Sequence, residues 1–195
     1  MRQRFCQSKI FGESIRHLDI PSLLWYTCGM AATPSTMSPL GTAAPPFALP
    51  DVVSGETISL ETFADKKALL VMFLCRHCKY VQHVTQALTT LGQDYQGTDL
   101  GIVAISANDA AAYAEDTPAS LKVMAAAESF TFSFCYDETQ AVAKAYTAAC
   151  TPDFFLFDRQ RKLVYRGQLD ASRVLATSDI RSRKRPLGHS PPASF

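Results

Sequence analysis

The hydrophobic pattern changes period several times along the chain. Ala68 to Leu74 is a near-continuous apolar run, which suits a strand buried on both faces. It stops at Cys75. Tyr80, Val81, Val84, Ala87, Leu88, Leu91 and Tyr95 then recur at three and four residues, the apolar stripe of one helix. Gln82, His83, Thr85 and Gln86 fall off that stripe. Leu100 to Ser106 predicts a second buried strand. Thr117-Pro118 predicts a helix start, with Thr117 as N-cap and Pro118 in the first helical position. Asp137 to Gln140 reads as a capping box ahead of a helix over Ala141 to Ala149. Asp153 to Asp158 and Lys162 to Gly167 predict two strands, and the turn Arg159-Gln160-Arg161 is short enough to make them antiparallel. Upstream, Phe47 to Val53 and Thr57 to Leu60 predict a hairpin around Ser54-Gly55.

The predicted order is hairpin, β, α, β, α, α, β, β. Two strands joined through a helix should be parallel, with a right-handed crossover. The expected fold class is therefore α/β, a mixed central sheet flanked by helices. The periodicity fades at both ends. Residues 1–29 sustain no period, and Ile20 to Tyr26 is a short apolar patch broken by Pro21 and Ser22. Glu13 and Asp19 precede that patch and no small-residue cleavage site follows closely, so it matches a signal peptide poorly. Residues 31–50 are rich in Pro, Ala, Ser and Thr and read as a linker. Residues 174–195 hold three prolines and clustered arginines. The expected division is a disordered leader and linker over 1–43, a folded domain over 44–172 and a basic disordered tail over 173–195.

Composition adds bounds. With 195 residues and 47% hydrophobics, the chain can fill one core, which excludes a wholly disordered protein. The longest apolar run, Ala68 to Cys75, is far short of the ~20 residues a spanning helix needs. The net charge of +1 conceals an acidic middle between basic ends. It carries no footprint for nucleic acid or a membrane surface, and the Arg181 to Arg185 cluster reads as a solvated tail. Six unevenly spaced cysteines do not make a disulfide scaffold, and the expected location is cytoplasmic.

Candidate chemistry gathers at Cys75-Arg76-His77-Cys78. A CxxC between a buried strand and an amphipathic helix is a redox signature. At a helix N-terminus the unpaired N–H groups and the macrodipole favour a thiolate. That places Cys75 as the attacking thiol, with Arg76 and His77 adding positive potential and Cys78 one turn on to resolve a mixed disulfide. The alternatives are two ordinary buried cysteines, or zinc. Zinc needs about four ligands, and neither a second CxxC nor a His pair accompanies His77, so no metal and no organic cofactor are expected. Thr151-Pro152 directly precedes an apolar strand, which Pro152 should open. Cys150, two residues before Pro152, is a candidate third thiol; its alternative is a small buried apolar residue. Cys135 reads as core, and Cys6 and Cys28 carry no signal.

These residues together resemble the thioredoxin-like superfamily on its redoxin, AhpC/TSA-like, branch. The resemblance rests on Phe47-Ala48-Leu49-Pro50-Asp51, the strand Leu69 to Leu74, Cys75-Arg76-His77-Cys78, and Cys150-Thr151-Pro152 running into Asp153 to Asp158. Cys75 to Val84 is similar to a group of bacterial thioredoxin-family proteins with a CxHC active site. The resemblance implies Cys75 as nucleophile and Cys78 as resolving cysteine. It implies Pro152 as a cis-proline facing them, a Thr151 backbone that pairs with substrate, and His77 as a group that stabilises the reduced form. It also implies a thiol–disulfide oxidoreductase, a disulfide- or dithiol-containing protein substrate and an external thiol electron donor. A thiol peroxidase and a non-catalytic redox-sensing module are the alternatives.

Departures are informative. Leu69 stands where thioredoxins carry a buried carboxylate, so proton handling must differ. Met72 stands where peroxiredoxins carry a threonine hydroxyl. The family's final amphipathic helix is expected to be missing, because Val174 to Phe195 has no such stripe and contains Pro186, Pro191 and Pro192. A frameshifted or truncated gene product would explain this.

Overall fold

The computed structural model describes residues 38–169. The strands are β1 (Ala48–Pro50), β2 (Thr57–Ser59), β3 (Ala68–Phe73), β4 (Leu100–Ser106), β5 (Ser133–Tyr136), β6 (Asp153–Phe157) and β7 (Leu163–Gly167). The helices are α1 (Lys79–Asp94), α2 (Pro118–Ala127) and α3 (Ala141–Ala145), with short 3-10 turns at Leu60–Phe63 and Ala114–Asp116. β1 and β2 form the expected hairpin. The other five strands make one mixed sheet in the order β5-β4-β3-β6-β7. β3, β4 and β5 run parallel, while β6 and β7 run antiparallel to their neighbours.

β3 is central because it is apolar on both faces. Leu69, Val71 and Phe73 face one core with Phe47, Phe155 and Phe157. Leu70, Met72 and Leu74 face the other, with Val81 and Leu88 of α1 and Leu121 of α2. Burying each such side chain contributes roughly 1.5–3 kcal/mol before entropy is counted. Register then decides where chemistry can occur. Phe73 pairs with Ile105 on one side and Asp153 on the other. The loops after β3 and β4 and the loop before β6 therefore open at the same end of the sheet.

Four local expectations need correction. β5 has no counterpart among the predicted elements, because Phe132 to Tyr136 is too short a run to separate from loop by periodicity alone. Thr85, expected on the polar face of α1, is buried, because its hydroxyl donates to Val81 O at 2.9 Å and needs no water. Ala87 and Tyr95, expected on the stripe, are exposed. α3 stops at Ala145, with Thr147 at φ 54° ending the turn, and its start is held by Asp137 Oδ2 accepting from Ala143 N and not by a reciprocal box.

Residues 41–44, assigned by sequence to the linker and its border, are tied to the sheet. Gly41 N donates to Leu163 O, and Leu163 N to Thr42 O, both at 2.8 Å. Asp51 closes the hairpin turn: its carboxylate accepts from Ser54 N and Oγ, and from Phe134 N on β5. The expected closing helix, the tail, Cys6 and Cys28 lie outside the described residues.

Candidate active site

β3 delivers Cys75 to the sheet end, and a short loop carries the chain to α1. The helix begins at Lys79 with Cys78 at the N-cap, so Cys75 is not in the first turn as the sequence suggested. Asp116 holds the loop between them. Its Oδ1 accepts from Arg76 N at 2.7 Å and His77 N at 3.3 Å, which holds the bend that joins β3 to α1.

The two sulfurs converge on Thr151. Thr151 Oγ1 lies 2.9 Å from Cys75 Sγ, and Thr151 O accepts from Cys78 Sγ at 3.2 Å. Pro152 follows through a cis peptide bond and β6 starts at Asp153. Cys75 and Cys78 are both buried and not joined in a disulfide. They also hydrogen-bond to each other, so they ionise as a pair. Cys78 is drawn down to about 5, first by its bond from Cys75 and, against burial, by the Val81 and Tyr80 amides and the Thr151 side chain. Cys75 is pushed up, first by its bond to Cys78, then by burial, with the Asp116 charge adding to the rise. The pair therefore sheds one proton below the usual thiol range and holds the second above it. The proton lost first belongs to the coupled pair and not to one sulfur alone.

The side chains of the two intervening residues are held by different partners. Arg76 Nη1 donates to Ser120 O at 3.1 Å and contacts Ser120 Oγ at 2.5 Å, which fixes the guanidinium on α2. His77 Nδ1 lies 2.5 Å from Asp116 Oδ2, and its ring stacks on Tyr113 at 4.2 Å with 6° between planes. Asn108, just beyond β4, donates to Asp116 Oδ2 at 2.7 Å. Cys150 is half-buried beside Thr151 in sequence, and Cys135 is buried in β5, where desolvation first and the Asp51 charge second push its thiol up to about 12. A cleft of about 430 Å³ opens between α1 and α2, lined by Arg76, Gln82, Gln86, Met124 and Glu128 among others.

Sequence reasoning missed Asp116, Asn108, Tyr113 and Ser120. Asp116 is fully buried, yet in the sequence it is an acidic residue just ahead of a capped helix, a common solvated position. Cys75, His77 and Asp116 place one ligand atom each within 4.8 Å of one another. Both Asp116 oxygens already accept two contacts apiece, so a cation there would have to displace His77 and Asn108.

Residues 40–166 match the family model described as the AhpC/TSA family. The chain belongs to the AhpC/TSA family. None of the curated proteins compared matches this AhpC/TSA chain. Among solved structures it is similar to an uncharacterized conserved protein from Geobacillus kaustophilus, at 49% identity and TM-score 0.72, covering 78% of this chain and 84% of that one. It is also similar to a hypothetical protein from Sinorhizobium meliloti 1021, at 43% identity and TM-score 0.70, covering 75% and 82%. The thioredoxin domain of a thiol-disulfide oxidoreductase from Bacteroides vulgatus shares the fold at 18% identity and TM-score 0.58, over 68% of this chain and 90% of that one. The fold is thus thioredoxin-like, a mixed α/β sheet with the CxHC loop at its open end. Among the described residues no helix is long and apolar enough to cross a membrane.

Proposed function

We propose that this chain is a thiol–disulfide oxidoreductase whose working unit is the Cys75–Cys78 dithiol. The observation that carries the reading is that both sulfurs contact Thr151, at 2.9 and 3.2 Å, at the residue before cis-Pro152. In this reading Cys75 attacks. The proton shared by the two sulfurs moves to Cys78, which leaves Cys75 as the thiolate with the Thr151 hydroxyl as its donor. Attack on a substrate disulfide forms a Cys75 mixed disulfide and expels one thiolate. Cys78 then attacks Cys75 Sγ, closing the internal disulfide and releasing the second thiol. An external thiol donor returns the pair to the dithiol. No metal or organic cofactor takes part. In the cytoplasm, the location proposed for it, ambient thiols would keep the pair reduced.

The test is differential alkylation with mass spectrometry on oxidised and reduced protein. A reversible Cys75–Cys78 disulfide is expected, and Cys78→Ser should accumulate the mixed disulfide on Cys75. Absence of the internal disulfide overturns the reading.

One observation favours a second reading, peroxide reduction. The hydroxyl lacking at Met72 is supplied from another strand end by Thr151 Oγ1, against the Cys75 sulfur. Cys75 would become a sulfenic acid that Cys78 condenses with, releasing water. Peroxide consumption measured beside disulfide reduction separates the two.

A further inference from the structure

Asp116 is a buried carboxylate with every acceptor position engaged. It is 0% exposed and sits in the turn Ala114–Asp116, outside the CxxC loop and 39 residues from His77. Three of its contacts can only be donors to it: Arg76 N, His77 N and Asn108 Nδ2. An acceptor so surrounded draws the proton of its fourth contact onto the imidazole, so that Nδ1–H of His77 points at Oδ2. The other ring nitrogen, Nε2, has no hydrogen-bond partner among the described residues. Tyr113 packs flat on the ring and fixes its plane, while the His77 side chain keeps 21% of its surface open to solvent. Among the described residues, the titratable groups against the His77 ring are Asp116 and Tyr113, both from the segment after β4, and Cys75, Arg76 and Cys78 flank it in its own loop.

Resting on the thiol–disulfide reading, we infer that Asp116 is a positioning residue that orients His77 as the proton donor to the departing sulfur. The step balances as follows. Cys75 thiolate attacks R–S–S–R′, forming Cys75–S–S–R and breaking the S–S bond; the electron pair leaves on R′S⁻. Protonated His77 gives its Nε2 proton to R′S⁻, yielding R′SH and a neutral imidazole that keeps Nδ1–H on Asp116. The Cys78 thiol then returns a proton to Nε2 as its sulfur attacks the mixed disulfide and RS⁻ departs. One disulfide is reduced, one is formed, and His77 ends as it began. Proton donation matters only when the leaving thiolate is basic, since a weakly basic thiolate leaves unaided.

The test exploits that dependence. Full-length wild type, Asp116→Asn and Asp116→Glu are compared on glutathione disulfide, whose leaving thiolate is basic, and on an aromatic disulfide with an acidic leaving thiol. Asp116→Asn should lose on the order of tenfold or more with glutathione disulfide and several-fold less with the aromatic disulfide. Asp116→Glu should recover part of that difference. Circular dichroism establishes that each variant is folded; if Asp116→Asn is not, Asn108→Ala, which frees one acceptor on Asp116, should show the same selectivity in weaker form. Equal loss on both disulfides, or no loss, overturns the inference while leaving the exchange reading intact. Wild type inert toward both disulfides overturns the exchange reading and this inference with it.

Discussion

Arg166 Nη2 meets Asp153 Oδ2 at 2.9 Å with both side chains shut away from water. The guanidinium also donates to Thr147 O at 2.8 Å and lies over the Phe155 ring at 4.4 Å from its centroid. Asp153 directly follows Pro152, so the pair fixes the strand that carries the candidate site. Removing one partner strands a buried charge, whereas replacing both with apolar residues does not. Arg166→Met should therefore cost about 3–5 kcal/mol, and adding Asp153→Leu should restore part of it. Urea unfolding of the single and double variants measures both; an additive double variant would show that the pair is not coupled.

The dithiol makes stability depend on pH with a definite sign. Cys78 is drawn from its ordinary value of 9.0 to about 5, so between those pH values the folded chain has released a proton that the unfolded chain keeps. Stability from this source is present at the upper end and is lost as pH falls toward 5. Cys75 is pushed the opposite way, so its contribution is lost as pH rises above 9.0. The reduced protein should gain thermal stability relative to the oxidised protein from pH 5 to 9. A constant difference in Tm between the two forms over that window would refute this coupling.

The Thr151 side chain favours ionisation of both sulfurs. Thr151→Val keeps the shape and removes the hydroxyl. The first thiol ionisation should move to higher pH, and alkylation at pH 6 should slow by roughly 3–10-fold, the scale of one lost hydrogen bond. Thiolate absorbance against pH gives the curve directly.

Gly101 in β4 faces the Phe63 ring, and a Cβ placed there would lie 2.6 Å from Phe63 Cδ1. Gly101→Ala should cost about 1–3 kcal/mol through overpacking. Pairing it with Phe63→Leu should recover stability if that contact is the cause.

The strands of greatest apolar density were legible because burial on both faces leaves an unbroken run: β4 falls on Leu100–Ser106 as expected, and β3 ends one residue early. The CxxC loop was legible because its residue types are rare outside redox and metal chemistry. What stayed hidden was the partner of that loop. Asp116 reaches His77 only because β4 and β3 pair in parallel and bring their C-terminal ends together, and nothing local to residue 116 encodes that pairing. Sequence periodicity reports which side chains are buried and says little about which buried carboxylate a loop amide will find.

The stretch from Gly41 to Val52 bonds to the two outermost strands of the five-stranded sheet. Its first residues pair with Leu163 at the start of β7, and Val52 N donates to Phe134 O on β5. Open strand edges recruit strands from other molecules and seed aggregation. One short segment thus occupies backbone groups at each edge, and a chain trimmed to residue 44 would expose the β7 side to self-association even with its dithiol and core intact.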